Sequence, residues 1–321
     1  MSKQPLTDQL DGAISLLLAK PGVNPGARPA SADASVEKLL QVARDLREMP
    51  SPQFKASLKT ELERKAQMSA KPIVFRPGFR TVTPYLHPQG PEFLDFLKNV
   101  FGAEETERTD MGPGRFHAEL RVGDSMVMVG VGSGRTMPVV LELYVPNPDE
   151  VYKRAIDAGC RELEPVRDAH WESGLRFGCV EDASGYQWVI AAQRSGESYI
   201  PEGRHSLTAS FVVKGAAQLV EFMKQAFDAK EIQRHEWPGG FYAAVNVGDS
   251  VVGVSEASNH EWMRPMPAMI YLYVPDCDAA YQRAVRAGAT SVSAPTDQKY
   301  GDRSGGVTDA WGNIWYMATP L

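Results

Sequence analysis

The sequence predicts an α+β protein of four βαβββ modules behind a helical arm, and three observations predict it. The first is an internal repeat. Asp95-Phe-Leu-Lys-Asn-Val-Phe-Gly-Ala-Glu-Glu105 returns as Glu221-Phe-Met-Lys-Gln-Ala-Phe-Asp-Ala-Lys-Glu231, and Val122-Gly-Asp-Ser-Met126 returns as Val247-Gly-Asp-Ser-Val251. Leu143-Tyr-Val-Pro146 returns as Leu272-Tyr-Val-Pro275, and Asp182, Gly185 and Trp188 as Asp309, Gly312 and Trp315, with the offset held between 125 and 129. Four collinear matches at so steady an offset mark a duplicated domain. The second observation is the order of elements inside each copy, in which a strand, a helix and further strands occur twice. Strands alternate with helices, but the helices are too few for a doubly wound parallel sheet, so curved sheets with helices on their outer face are expected. The third is a break in composition near residue 70, with short amphipathic helices before it and the repeat after it.

Each element has a local cause. In the arm, Thr7 caps a helix with Leu10, Ile14, Leu17 and Leu18 at helical spacing, and Pro21 to Ala34 reads as a linker. Ser35 caps a second helix that must stop before Pro50, and Ser51-Pro52 opens a third, with Pro where its missing N–H costs nothing. Leu39, Leu46, Phe54, Leu58 and Leu62 fall on single faces and call for a docking surface, on this chain or on a protein partner. In the first copy a strand over Thr81–Leu86 leads to a helix over Pro91–Phe101, ended by Gly102 in the left-handed conformation. Strands Arg115–Val122 and Ser125–Gly130 follow, then strand Val139–Val145, helix Asp149–Ala158 stopped by Gly159, and a last strand at Gln187–Ala191. Three segments result: an arm over 1–70 and repeats over 79–193 and 205–319.

Charge and composition narrow the function. Lys+Arg 34 against Asp+Glu 40 gives a net charge of −6, which argues against nucleic acid as a partner. The apolar run Ala13–Ala19 is far shorter than a membrane span, and Asp8 and Asp11 precede it where a secretory signal carries basic residues. Cys160, Cys179 and Cys277 have no CxxC spacing and read as free thiols in a cytoplasmic protein. The six histidines show no HxH or HExxH spacing, and there is no GxGxxG, Walker or GxSxG motif. Gly112-Pro113-Gly114 and Pro238-Gly239-Gly240 read as hairpin turns.

Thr83-Pro84-Tyr85-Leu86, Phe93-Leu94-Asp95-Phe96, Phe101-Gly102-Ala103-Glu104, His117 to Asp124 and Tyr300 to Trp315, in this order and duplicated, resemble the vicinal-oxygen-chelate superfamily of glyoxalase, bleomycin-resistance and dioxygenase proteins, and its PhnB-like branch in particular. The resemblance implies two tandem glyoxalase-like domains, each with a cleft of its own between paired modules. It also implies a divalent ion held by His, Gln or Glu on the first and last strands of each module. The matching positions here are Pro84, Met128, Val140 and Val189 in the first copy and Ala209, Gly253, Met269 and Tyr316 in the second. None is an imidazole or carboxylate, so neither a metal centre nor another cofactor is expected.

What remains in the expected clefts is aromatic and polar. Glu142, two residues past Val140, is the candidate catalytic residue, since burial there would penalise its charged form and suit it to acid–base work. Tyr144, Trp171, Tyr271, Tyr273, Tyr300 and Tyr316 are candidate walls of a ligand pocket, Gln187 a polar contact, and Arg176 and Arg303 anchors for an anionic group. By strand parity Trp188 and Trp315 point away from the clefts, beneath the helices. The second copy replaces Glu142 by Tyr271 and Gln187 by Ile314, so the first copy's cleft is expected to hold any chemistry. The function expected is metal-independent binding of a small organic molecule, for sequestration or sensing, by a monomer or homodimer. The alternative is a lyase, isomerase or dioxygenase-type enzyme of the same superfamily.

Overall fold

The structure, a computed structural model, describes residues 76–321 apart from 77, 135, 171, 173, 196 and 197. The arm over 1–70, expected to be helical, and Trp171 lie outside the described residues. From Val82 onward the βαβββ unit occurs four times. The first module is β1 (Val82–Leu86), α1 (Glu92–Phe101), β2 (Glu104–Asp110), β3 (Phe116–Val122) and β4 (Ser125–Val131). The second is β5 (Val140–Tyr144), α2 (Pro148–Asp157), β6 (Arg161–Asp168), β7 (Leu175–Glu181) and β8 (Gln187–Gln193). The third is β9 (Leu207–Val213), α3 (Ala216–Phe227), β10 (Lys230–Trp237), β11 (Gly240–Val247) and β12 (Ser250–Glu256). The fourth is β13 (Met269–Tyr273), α4 (Cys277–Arg286), β14 (Thr290–Asp297), β15 (Asp302–Thr308) and β16 (Ile314–Pro320). The fold is α+β, as the repeat predicts.

Local signals explain the ends of these elements. Gly102 sits at φ 69° and donates to the Lys98 carbonyl, ending α1 where the sequence predicts it. Its counterpart Asp228 takes the same left-handed conformation at φ 56° without being glycine, and ion-pairs with Arg283 at 3.3 Å. Asn147 and Asp276 cap α2 and α4 by accepting from the Glu150 and Ala279 amides. Trp188 and Trp315 are fully buried under the helices, 4.5 Å from Phe101 and 4.8 Å from Phe227, on the side strand parity requires.

The modules do not pair as the repeat suggests. One sheet runs β14-β15-β16-β13-β1-β4-β3-β2, the other β10-β11-β12-β9-β5-β8-β7-β6. The first module therefore joins the fourth, and the second joins the third. Each sheet closes through an antiparallel seam, β1 on β13 and β9 on β5, which places Thr83 opposite Tyr271 and Thr208 opposite Glu142. The expected cleft per repeat is replaced by two clefts that each draw on both repeats. The helix layer keeps each repeat together instead: Arg154 of α2 donates to the Val100 carbonyl of α1, and Arg283 of α4 to the Ala226 carbonyl of α3. All four outer edges, β2, β6, β10 and β14, are largely exposed; charge guards β2, β6 and β10, and Pro295 with Asp297 guards β14.

Two matching turns lock one sheet to the other. Asp124, between β3 and β4, accepts from the Ser206 amide at 2.8 Å just before β9, and Asp249, between β11 and β12, accepts from the Thr81 amide at 2.8 Å just before β1. The glycine before each aspartate is needed both for its positive φ and for room. A Cβ on Gly123 would lie 2.2 Å from Ser206 Oγ, and one on Gly248 would lie 2.2 Å from Thr81 Oγ1. Burial alone would raise the Asp124 carboxyl, but the Ser206 amide, His205 and the serine hydroxyls favour its charged form and pull it down from 3.8 to about 2. A depressed carboxyl stabilises the fold above its unfolded value and loses that contribution as pH falls through its folded value. Stability is expected to fall between about pH 4 and pH 2 more steeply in the native protein than in Asp124→Asn, as read by urea midpoints across that range.

Candidate functional site

Strand alternation sorts the side chains into a helix face and a cleft face. On β1, Val82 and Leu86 pack into the main core with Pro84 between them, so Thr83, Tyr85 and His87 face the cleft. Ala209 likewise lies in the main core, which turns its neighbour Ser210 to the other cleft. Two of the eight positions matched to metal ligands, Pro84 and Ala209, thus belong to the helix face, and the expectation is corrected there by one residue. The cleft-facing sets become Tyr85, Met128, Met269 and Tyr316 in the first-and-fourth cleft, and Val140, Val189, Ser210 and Gly253 in the other. Thioethers, phenols, a hydroxyl and aliphatic groups do not fit a divalent cation of the family type. Among the described residues, no group of three His, Cys, Asp or Glu side chains converges on one point.

The second-and-third cleft contains Glu142, and the protein fills it with its own side chains. Arg204, in the connection between repeats, donates from Nη1 to Glu142 Oε2 at 2.5 Å and from Nη2 to the Tyr242 hydroxyl. The Tyr144 hydroxyl donates to Glu142 Oε2 at 3.1 Å, and that of Tyr242 to Oε1 at 3.4 Å. The guanidinium lies 5.9 Å from the Tyr144 ring and 5.6 Å from that of Tyr242. The side chains of Glu142 and Arg204 are only 11% and 10% exposed. Glu142 does face its cleft, and this candidate catalytic carboxyl is one half of a buried ion pair with Arg204. Met263 and Met266 pack with Val140 and Val212 beside it, Val189 against them, on a loop bridged to β9 at Val212. Gln187 faces this cleft too, fully buried, its amide nitrogen donating to the Glu261 carbonyl at 3.3 Å.

The first-and-fourth cleft is open. It holds a cavity of about 410 Å³ walled by Tyr85, His87 and Ser133 from the first module and by Met269, Tyr271, Ser293, Gln298, Tyr300, Ser304 and Tyr316 from the fourth. Three tyrosines expected in the second copy's cleft, Tyr271, Tyr300 and Tyr316, do meet here, together with first-copy residues not singled out from sequence. Gly130 leaves room for two of these walls: a Cβ there would lie 2.7 Å from His87 and 3.2 Å from the Tyr85 hydroxyl. His87 Nδ1 bonds Ser133 Oγ at 2.8 Å, and the Tyr300 and Ser304 hydroxyls lie 3.1 Å apart. Tyr271 donates to Asp302 at 2.9 Å, with Tyr273 at 3.5 Å from the same oxygen.

Behind this wall sits a charged layer. Arg76 donates to both oxygens of Glu119, at 2.6 and 3.1 Å, and to Glu107 at 3.1 Å. His117 stands 3.6 Å from Glu119 and 3.3 Å from the Tyr85 hydroxyl. Burial would raise Glu119, but His117 and Arg76 outweigh it and hold the carboxyl below its ordinary value. Burial pushes the Tyr85 phenol up to about 12, and it raises Asp302 and, strongly, Tyr271. The Tyr85 and Tyr271 phenols are therefore neutral at physiological pH.

Arg176 and Arg303 are on the helix face. Arg176 Nε binds Asp149 at 2.7 Å and Arg303 Nε binds Asp278 at 2.5 Å, each aspartate in the first turn of a helix, so neither arginine anchors a ligand in a cleft. Parity on β7 and β15, where Gly178, Val180, Gly305 and Val307 also turn outward, makes this placement readable from sequence.

Comparison with known proteins agrees with the architecture. The Glyoxalase/Bleomycin resistance protein/Dioxygenase superfamily profile matches residues 205–317. An uncharacterized protein of Mycobacterium tuberculosis is 35% identical over 149 residues, spanning 43% of this chain and 88% of its own. One of Mycobacterium bovis is 37% identical over 127 residues, spanning 36% of this chain and 84% of its own. Glyoxalase I from Zea mays superimposes with a TM-score of 0.57 at 11% identity, covering 74% of this chain and 92% of that one, a likeness of fold alone. The profile match places the second repeat, residues 205–317, in the glyoxalase/bleomycin-resistance/dioxygenase superfamily, and the four-module sheets share the fold of glyoxalase I.

Proposed function

We propose that the protein binds a small organic molecule in the cleft between its first and fourth modules, in a sequestering or sensing role that uses no metal. The observation that carries this reading is the asymmetry of the two clefts. One keeps a cavity of about 410 Å³ with aromatic and hydroxyl walls, a size and lining suited to small-molecule sites. The other is occupied by Arg204, Met263 and Met266. The enzyme reading rested on Glu142 as a free base, and its pairing with Arg204 takes that support away. The PhnB-like assignment rests on the motifs alone. Among the described residues no helix is long and apolar enough to cross a membrane.

A thermal-shift screen of small molecules tests this proposal. A ligand present at a hundred times its Kd adds about 2.7 kcal/mol to the stability of the native state. Compounds that raise the native Tm are expected to do so in Met266→Ala, altered in the filled cleft, and to lose the effect in Tyr316→Ala, altered in the open one. Hits insensitive to Tyr316→Ala would place binding elsewhere and refute the proposal.

A further inference from the structure

We infer that the molecule taken by the open cleft is uncharged, aromatic and equipped with a hydroxyl or N–H donor; this rests on the binding proposal above and narrows it. The lack of charge follows from where the charges are spent. None of the described residues lining the cavity is Lys, Arg, Asp or Glu, and the histidine among them, His87, is bonded through Nδ1 to Ser133 at 2.8 Å. Arg76, the cation behind the wall, already serves both oxygens of Glu119 and one of Glu107. Asp302, an anion behind Tyr271, accepts from its hydroxyl and is 2% exposed. An ionic ligand would lose its hydration and find no free counter-charge, a cost that a neutral ligand does not meet.

Aromatic character follows from the walls. Tyr85 and Tyr316 flank β13 and pack with Met269, leaving two phenol rings and a thioether turned to one space. Flat π surfaces and a polarisable sulfur favour another ring over a saturated body of equal size. The need for a donor follows from the direction of the existing hydrogen bonds. Tyr271 spends its only O–H on Asp302, so towards the cavity, where the Tyr300 hydroxyl is its neighbour, its oxygen can only accept. Gln298 uses its amide nitrogen on Thr296 at 2.9 Å, which leaves its carbonyl oxygen as an acceptor as well. Ser133, Ser293 and Ser304 adapt to either role.

Five probes on one scaffold separate these features: 2-naphthol, 2-methoxynaphthalene without the donor, 2-naphthoate as the anion, 2-naphthylmethylammonium as the cation, and decahydro-2-naphthol without the aromaticity. Affinities would be measured by titration at pH 6.5 on the full chain. The expected result is that 2-naphthol binds best, the anion and cation at least tenfold more weakly, and the saturated and methoxy analogues at least fivefold more weakly. In Tyr271→Phe, 2-naphthol is expected to fall to the level of 2-methoxynaphthalene, while Tyr316→Ala weakens both. Charged or saturated probes that bind as well as 2-naphthol and still depend on Tyr316 would overturn the ligand class and leave the cleft as the binding site. Failure of all five to bind the native chain, or indifference of all five to Tyr316→Ala, would overturn the cleft assignment and the ligand class together.

Discussion

Glu142→Ala is expected to destabilise the fold by about 3–5 kcal/mol, because it strands the Arg204 guanidinium in a cleft where its side chain is only 10% exposed. Urea unfolding of the native and variant chains measures this directly. Arg204→Ala should cost a similar amount by stranding the carboxylate. The other sheet supplies the control. The Tyr273 amide donates across its seam to the Thr81 carbonyl as that of Tyr144 does to the Ser206 carbonyl, so Phe79 stands where Arg204 stands and Tyr271 where Glu142 stands. Phe79 packs edge-on to Tyr273 at 5.8 Å, just as Arg204 lies over Tyr144. The same site is therefore solved once with an ion pair and once with aromatic rings. The double change Arg204→Phe with Glu142→Tyr is expected to recover most of what either Ala variant loses, a non-additivity that the single variants cannot show. If Glu142→Ala costs less than about 1 kcal/mol, the pair behaves as a solvated surface bridge and the filled-cleft description fails.

Asp309→Ala is the second large effect. This buried carboxylate accepts from the Trp311 and Asn313 amides at 2.9 Å each, from Asn313 Nδ2 at 2.8 Å and from Trp315 Nε1 at 2.9 Å. Removing it leaves four donors without an acceptor, two of them on the wholly buried Trp315 and Asn313 side chains, and each unmet buried donor costs about 1–3 kcal/mol. A loss of at least about 3 kcal/mol is expected in urea unfolding. Its counterpart Asp182 holds Trp188 Nε1 at 2.7 Å with the Ser184 and Tyr186 amides, so Asp182→Ala should lose nearly as much. An unchanged midpoint in both would mean that water satisfies the tryptophans.

The modules were legible because their causes are local. Caps, glycine stops, alternation and the repeat each act within a few residues, and the strands and helices near Thr81, Pro91, Ser125, Val139 and Gln187 begin and end within a residue or two of the predicted places. β2, with the sequence EETERTD, could not be read so closely: it is an exposed edge strand with no apolar face to alternate. Pairing of modules was not legible at all. Both repeats carry the same signals, so no local pattern distinguishes β1 joining β5 from β1 joining β13. That one choice relocated the site. The tyrosines of the second repeat were singled out, but Tyr85, His87 and Ser133, which complete their cavity, lie in the first. Arg204 was missed because it sits in a connection, where an arginine ordinarily faces water; only its role as the counterpart of Phe79 could have drawn notice to it.

The pairing of first with fourth module also sets an order of assembly. The middle two modules are consecutive in sequence, and their sheet can close as soon as residues 140–256 have been synthesised. β1, made early, must wait for β13, whose partner residues lie about 190 positions later, before its seam edge is covered. Such distant pairing slows folding, since the chain pays for a long loop before the contact rewards it. During that wait the nascent chain carries an uncovered strand edge, the kind of surface on which chaperones act and aggregates start. The open cleft is thus the last part of this molecule to come into being, and a chain interrupted before β13 would have its filled cleft complete and no place for a ligand.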